Sequence, residues 1–393
     1  MIIVGGSYRE RCFYPAWDSI YGSGGRAAVA ISSLSPGSVL NTYAYKGWAA
    51  DVRATMAGLG IAAHVVEIEE EIVFDYYYPL AKDYVPEPSI MPSITVAGEV
   101  VLSFGMLEGA ATVTADRAVH DPQSSKPSAA FSRFGSKAGQ LAYVVRDYVL
   151  TSKDRSEDPM DAVARIMQDE EAAIVVVRQA VGGARVYIGE TRPTSVPAYV
   201  SDTWFKIGSG DVFCAAFAHY WGERRYNPVD AADLASRCVA YFNDGHRLPL
   251  PPEPSLGALI AQDITALPGA VFLSGPSSTL PQRWLLDEAR SRLQELGNDV
   301  ISPFHDHGER LDRNASRAVE DLARCRTLLA FVDGSDTGTN FHVGHARAND
   351  VTVVLLAEAV KPSDLTMFAG SDCEVAHDLA TAIYRSHLAS FRR

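Results

Sequence analysis

The segment best equipped for chemistry is Lys206-Ile207-Gly208-Ser209-Gly210-Asp211-Val212-Phe213. Two glycines flank a small residue, and an apolar helical pattern begins directly after them. Glycine lets consecutive backbone N–H groups point into one concavity, and the helix N-terminus adds partial positive charge. A nest of that kind holds a phosphate, or the charge that develops while one is transferred. Asp211 stands at its mouth, where a carboxylate can take a proton from a substrate hydroxyl. The same residues also read as an ordinary glycine-rich turn with Asp211 as a helix N-cap. His305, His307, His342 and His345 have spacings that supply metal ligands in pairs, but no carboxylate or cysteine spacing completes a tetrahedral set. Histidines bonded within a polar pocket are the simpler reading. Tyr8, Phe13, Tyr14, Trp17 and Tyr21 can stack on a base or sugar, or pack as a lid or subunit contact.

Gly208-Ser209-Gly210-Asp211-Val212-Phe213 resembles the second signature of the ribokinase-like (PfkB) carbohydrate and nucleoside kinases, Gly-Ala-Gly-Asp-x-Phe. Gly24-Gly25-Arg26-Ala27-Ala28-Val29-Ala30 resembles the family's substrate-side Gly-Gly segment. Gly47 to Asp51, with Leu59-Gly60-Ile61, is similar to its Gly-x-Asp stretch. Asp121-Pro122-Gln123 is similar to its Asp-Pro-x segment, and Ile174 to Ala184 to its strand and turn near the nucleotide. The likeness runs in order over residues 1–250. It implies transfer of the ATP γ-phosphate to a hydroxymethyl group of a sugar or nucleoside. Asp211 would be the base, with Gly208, Ser209 and Gly210 as the anion hole. The resemblance places Arg178 and Gly183 toward ATP, Gly24 and Gly25 toward the substrate, and Mg²⁺ on the phosphates. Three departures stand out. Trp204-Phe205-Lys206-Ile207 separates Asp202-Thr203 from the turn, the family's sugar-binding Asn would fall at Val29, and the early Asp is missing, leaving Asp18 as a displaced candidate. They imply an unusual substrate, or a silent kinase site that serves as a non-catalytic nucleotide sensor.

A second resemblance covers residues 270–346. Val271 to Pro276, Ser302-Pro303-Phe304, Cys325 to Asp333 and Asp336-Thr337-Gly338-Thr339-Asn340-Phe341-His342-Val343-Gly344-His345-Ala346 are similar, in order, to the nucleoside 2-deoxyribosyltransferases. That family's last motif reads Asp-x-Gly-Thr-x-x-Glu-x-Gly-x-Ala, and its Glu is the nucleophile. Here His342 stands in that place. Imidazole can serve as acid or base, but it is a poor substitute for an anion facing an oxocarbenium-like sugar. The resemblance implies a nucleoside or nucleotide pocket at Gly275, Pro276, Asp336, Gly338, Thr339 and His342. Its use would be regulatory, or deoxyribosyl transfer between bases, or N-glycosidic hydrolysis with His342 as base.

The elements that must position these residues follow from hydrophobic patterning. Ala172 to Val177 is a β-branched run of the kind buried on both faces of a sheet. Ala162 to Asp169 and Phe213 to Tyr220 beside it have helical spacing, as do Leu285 to Leu296 and the charged stretch Asp312 to Asp321. Met1 to Gly6, Gly269 to Pro276, Thr327 to Val332 and Val351 to Leu356 read as strands, and Glu67 to Glu71 as a solvated strand edge or loop. Strands alternating with helices predict an α/β protein of two domains. One is a ribokinase-like sheet flanked by helices (residues 1–265), the other a smaller flavodoxin- or Rossmann-like parallel-sheet domain (residues 266–393). The proline-rich stretch 249–254 should be extended, followed by a short helix from Leu256 to Ile264. The 393 residues carry a net charge of −13, against general affinity for nucleic acid or anionic membrane. No apolar run is long enough to span a bilayer. Five scattered cysteines without CxxC spacing suit reduced thiols in a cytoplasm. A homo-oligomer is expected from both resemblances.

Overall fold

The computed structural model describes residues 1–81, 88–124, 129–147, 159–189, 191–264, 267–307, 311–334 and 336–392, with the backbone alone at 307 and 311–314. The chain separates into two compact units, Met1–Gln262 and Asp263–Arg393. The boundary drawn at 265 falls on residues 265–266, outside the described residues. Both units are α/β with parallel-dominated sheets.

Around β1 (Ile2–Val4) the larger unit builds a nine-stranded sheet among its described residues. On one side stand β4 (Val39–Tyr45) and β5 (Ala62–Ile68). On the other stand β7 (Ile94–Phe104), β8 (Ala111–Asp121), β9 (Lys137–Arg146), β10 (Ile174–Gln179), β11 (Gly183–Ile188) and β12 (Thr194–Val196). All pairings are parallel except those of β11 with β10 and β12. The β-branched run in β10 explains its interior place, between β9 and β11. Ile174 and Val176 pack into the core on one face while Val175 and Val177 pack into the core on the other. Side-chain alternation therefore makes one strand hydrophobic on both sides. A second, three-stranded sheet joins β2 (Arg9–Cys12) to β3 (Trp17–Ile20) and β6 (Val73–Tyr76). Helices α1 (Gly22–Ile31), α2 (Ala49–Gly58), α3 (Pro159–Asp169), α4 (Ser209–Phe217) and α5 (Pro228–Asn243) complete the unit. Helix α4 packs on α1 and α5 and continues as a π-helical segment, Ala218–Glu223.

The smaller unit carries β13 (Val271–Ser274), β14 (Val300–Ile301), β15 (Thr327–Phe331), β16 (Thr352–Leu356) and β17 (Glu374–Ala376) in the order β14-β13-β15-β16-β17, all parallel. This is the 2-1-3-4-5 order of flavodoxin-like sheets, whose switch point lies between the first and third strands. Its helices include α6 (Leu280–Glu295), α7 (Leu311–Ala323), α8 (Thr337–Ala348) and α9 (Leu379–Ala389).

One local expectation fails. Leu256 to Ile264 is not a helix; a 3-10 turn covers Glu253–Leu256, and Ala261 instead bridges Tyr199. Val200 N–H donates to the Ile260 carbonyl and Gln262 N–H to that of Ala198, so the backbone is drawn into strand-like pairing. Among the described residues no helix is long and apolar enough to cross a membrane.

Phe217 is fully buried and its ring lies between those of Phe213, at 6.3 Å, and Trp221, at 5.8 Å. Phe217→Ala is expected to cost about 3–5 kcal/mol in urea denaturation of the full chain.

Candidate functional site

Helix α4 begins on Gly208, which holds a left-handed φ of 79° as N-cap. A Cβ there would also strike the guanidinium of Arg26, so conformation and space both demand glycine. Asp211 is the third residue of the first turn, whereas Gly208 takes the N-cap position expected of Asp211. The Ser209 N–H and hydroxyl both donate to the Lys206 carbonyl, at 3.1 and 3.0 Å. Ser209 therefore adds no donor to the anion hole expected of it. The first-turn N–H groups of Gly210 and Asp211 remain for that purpose.

The central feature is a residue the motif reading passed over. Arg26, on α1, is 0% exposed. Its Nη1 donates to Asp211 Oδ2 at 2.8 Å and to Glu10 Oε1 at 3.1 Å, and its Nη2 pairs with Glu10 Oε2. Burial opposes its charge, yet Glu10 and Asp211 outweigh that and raise its pKa. Burial also pushes the Glu10 carboxyl upward, against the pull of Arg26. On the other side of Asp211, Gln123 Nε2 lies 3.3 Å from Oδ1. Arg26 Nε is buried without a partner in the structure. A single charge inside the small, apolar helix Gly22–Ile31 was the signal available in the sequence, since buried arginine demands a partner.

A second arginine reaches the same turn. Arg178, at the carboxyl end of β10, donates to Asp121 Oδ2 at 2.9 Å, and a Cβ on Gly210 would meet its Nη1. Arg178 Nε is likewise buried without a partner. Half-buried Lys206 is pulled down to about 8 by burial, with repulsion from Arg146 and Arg178 added and Asp147 opposing. The turn thus lies beside orphaned guanidinium N–H groups and a lysine whose charge an anion would stabilise. These residues fit a phosphate group.

The remaining candidates lie elsewhere. The Asp18 carboxylate is 50% exposed and forms a bidentate pair with Arg9, apart from Asp211; Glu10 occupies the acidic place beside the site instead. Val29 is core, and Arg26 is the α1 residue that faces Asp211. Gly24 lets α1 approach the backbone of Gly5, and a Cβ on Gly25 would face Ser7 Oγ at 3.4 Å. Gly183 takes a φ of 77° against the backbone of Val196. The aromatics divide. Tyr8 is buried on Glu108, Trp17 packs against Phe205 and His246, Tyr21 lies under Arg26, and exposed Phe13 stacks on Tyr77.

In the smaller unit the motif residues meet at the carboxyl ends of β13 and β15. Asp336 caps α8, and its Oδ2 accepts from Thr339 N at 2.7 Å and Thr339 Oγ1 at 2.6 Å. Ser274 Oγ lies 2.9 Å from His342 Nδ1. Burial lowers the His342 pKa, with Asp336 opposing and His345 adding to it. Gly275 packs against Phe331 and Leu286, Pro276 lies beside Gly334, and Gly338 beside Asp336. His305 bonds Ser302 instead, at 2.9 Å, and the side chain of His307 is outside the described residues.

Among the described residues no group of three His, Cys, Asp or Glu side chains is placed to hold a metal ion. The two carboxylates at the turn each face an arginine, so the residues present do not fit the expected Mg²⁺.

Arg26→Met leaves two buried carboxylates uncompensated and is expected to cost about 3–5 kcal/mol in urea denaturation; adding Glu10→Gln should recover part of it. Lys206 loses its proton as pH rises through about 8 in the free protein. Affinity for sulfate, a fully ionised stand-in for phosphate, measured by calorimetry should therefore fall between pH 7 and pH 9, and Lys206→Met should remove that dependence.

No family model and no curated protein matches the chain. Among solved structures it is similar to a pyrophosphate-dependent kinase in the ribokinase family complexed with a pyrophosphate analog and myo-inositol. The identity is 15% and the TM-score 0.47, over 64% of this chain and 98% of that one. It is also similar to a microbiome-derived acarbose kinase (14%, TM-score 0.48, 66% and 97%). A third is the fructokinase from Vibrio cholerae O395 in its fructose, ADP and calcium ion bound form (14%, TM-score 0.47, 65% and 98%).

Proposed function

We propose that the larger unit transfers a phosphoryl group from ATP to a hydroxymethyl group of a sugar or nucleoside. The observation that carries this reading is the junction of Asp211 with the Gly208–Gly210 turn, flanked by Arg178 and Lys206. When bound, the nucleotide supplies the phosphoryl group. Arg26 fixes Asp211 through Oδ2 and leaves Oδ1, with only the long Gln123 contact, to accept the hydroxyl proton. The N–H groups of Gly210 and Asp211 and the guanidinium of Arg178 would hold the anion.

The burial of Arg26 between two carboxylates favours a second reading, nucleotide binding without turnover. ATP consumption over a panel of sugars and nucleosides separates the two. Asp211→Asn is expected to lower kcat about 10²–10⁴-fold. Undiminished turnover would remove Asp211 as the base, and ATP binding with no turnover on any acceptor would select the sensor.

For the smaller unit we propose a nucleoside or nucleotide pocket at the switch point between β13 and β15. In it His342 acts as base for attack of water on the N-glycosidic bond. The polar network of Ser274, Thr339, Asp336 and His342 supports this, since it presents a base where a covalent glycosyl intermediate would need a carboxylate.

A further inference from the structure

The network around His342 determines which ring nitrogen carries the proton. Asp336 is a carboxylate and only accepts. Thr339 has one hydroxyl proton, and its bond to Asp336 Oδ2, at 2.6 Å, uses it. Toward Ser274 the Thr339 oxygen can then only accept, so the Ser274 proton is directed to it, at 3.3 Å. Ser274 Oγ has no further proton, so across the 2.9 Å contact it must accept from His342 Nδ1. Both hydroxyl residues are buried, Ser274 at 6% and Thr339 at 1% exposure, so water does not compete for these bonds. Burial also favours the neutral imidazole. A neutral ring protonated at Nδ1 has its lone pair at Nε2.

We propose that Ser274 and Thr339 are positioning residues that relay the charge of Asp336 to His342, fixing the Nδ1–H tautomer and presenting Nε2 as the base. The role of Nε2 rests on the hydrolytic reading of the smaller unit; the tautomer does not. In that reaction Nε2 takes a proton from water while the water oxygen bonds to the sugar's anomeric carbon. The carbon–nitrogen bond breaks, and the base leaves with its electron pair and is protonated by solvent. The arrangement does the work of a carboxylate–histidine pair through two intervening hydroxyls, which separates the negative charge from the ring without losing control of its orientation.

The test is a long-range ¹H–¹⁵N spectrum of the full chain at pH 8, with His342→Gln used to identify the ring. The expected result is a protonated Nδ1 and an unprotonated Nε2. Thr339→Val should lose that signature, Ser274→Ala should lose it as well, and Thr339→Ser should restore it. Thermal melts of the variants separate loss of the relay from loss of the fold. A protonated Nε2 in the unaltered chain, or a signature that survives Thr339→Val in a folded protein, overturns the proposal. Release of free base from nucleosides and nucleoside monophosphates is followed in parallel. The expected tautomer without any base release upholds the relay and removes the hydrolytic reading, whereas base release with protonated Nε2 removes the relay.

Discussion

A guanidinium sealed from water between two carboxylates organises the larger unit. Taking Arg26 out of solvent is costly by itself, and only the pairing with Glu10 and Asp211 makes its position tenable. That pairing ties together the three-stranded sheet carrying Glu10, the helix carrying Arg26 and the helix that starts at the glycine turn. It also explains why Gly208 admits no side chain. Asp211 is thereby held at one oxygen and oriented at the other, so the geometry that stabilises the fold also sets the chemistry available to the carboxylate.

The parallel sheets decide where such groups gather. Asp121 ends β8, Arg178 lies near the end of β10, and Ser274 ends β13. All three emerge at carboxyl ends of parallel strands, where backbone leaves the ladder and side chains meet helix N-termini. The two units use that edge differently. The larger one collects cations beside a glycine turn, which suits an anion. The smaller one collects hydroxyls and an imidazole, which suits proton transfer.

Much of this was legible in the sequence because it is local. The glycine turn and the β-branched strand Ile174–Val177 each follow from residues a few positions apart. What the sequence hid is long-range pairing: Arg26 lies 16 positions from Glu10 and 185 from Asp211. No periodicity joins such positions, and a lone arginine among alanines announces only that some partner exists. Asp18 drew notice as the nearest aspartate after the first strand, yet strand alternation sends it outward to Arg9 and Glu10 inward. The stretch after Leu256 misled for a related reason. Its helical spacing lost to backbone bonds with Ala198 and Val200, which are distant in sequence.

The five cysteines show another consequence of this packing. Among the described residues Cys12, Cys214, Cys238, Cys325 and Cys373 form no disulfide, and all five are buried. Burial holds the thiols of Cys214, Cys238, Cys325 and Cys373 above their ordinary pKa, with Cys238 and Cys325 at about 12. Thiolate is the reactive form, so at these four sites burial disfavours the species that an alkylating reagent or oxidant attacks. Each of these four sulfurs gains reactivity when the layer covering it opens. Cys214 would record opening around the helix that carries Asp211, and Cys325 and Cys373 opening of the smaller unit, giving each unit its own internal clock of local unfolding.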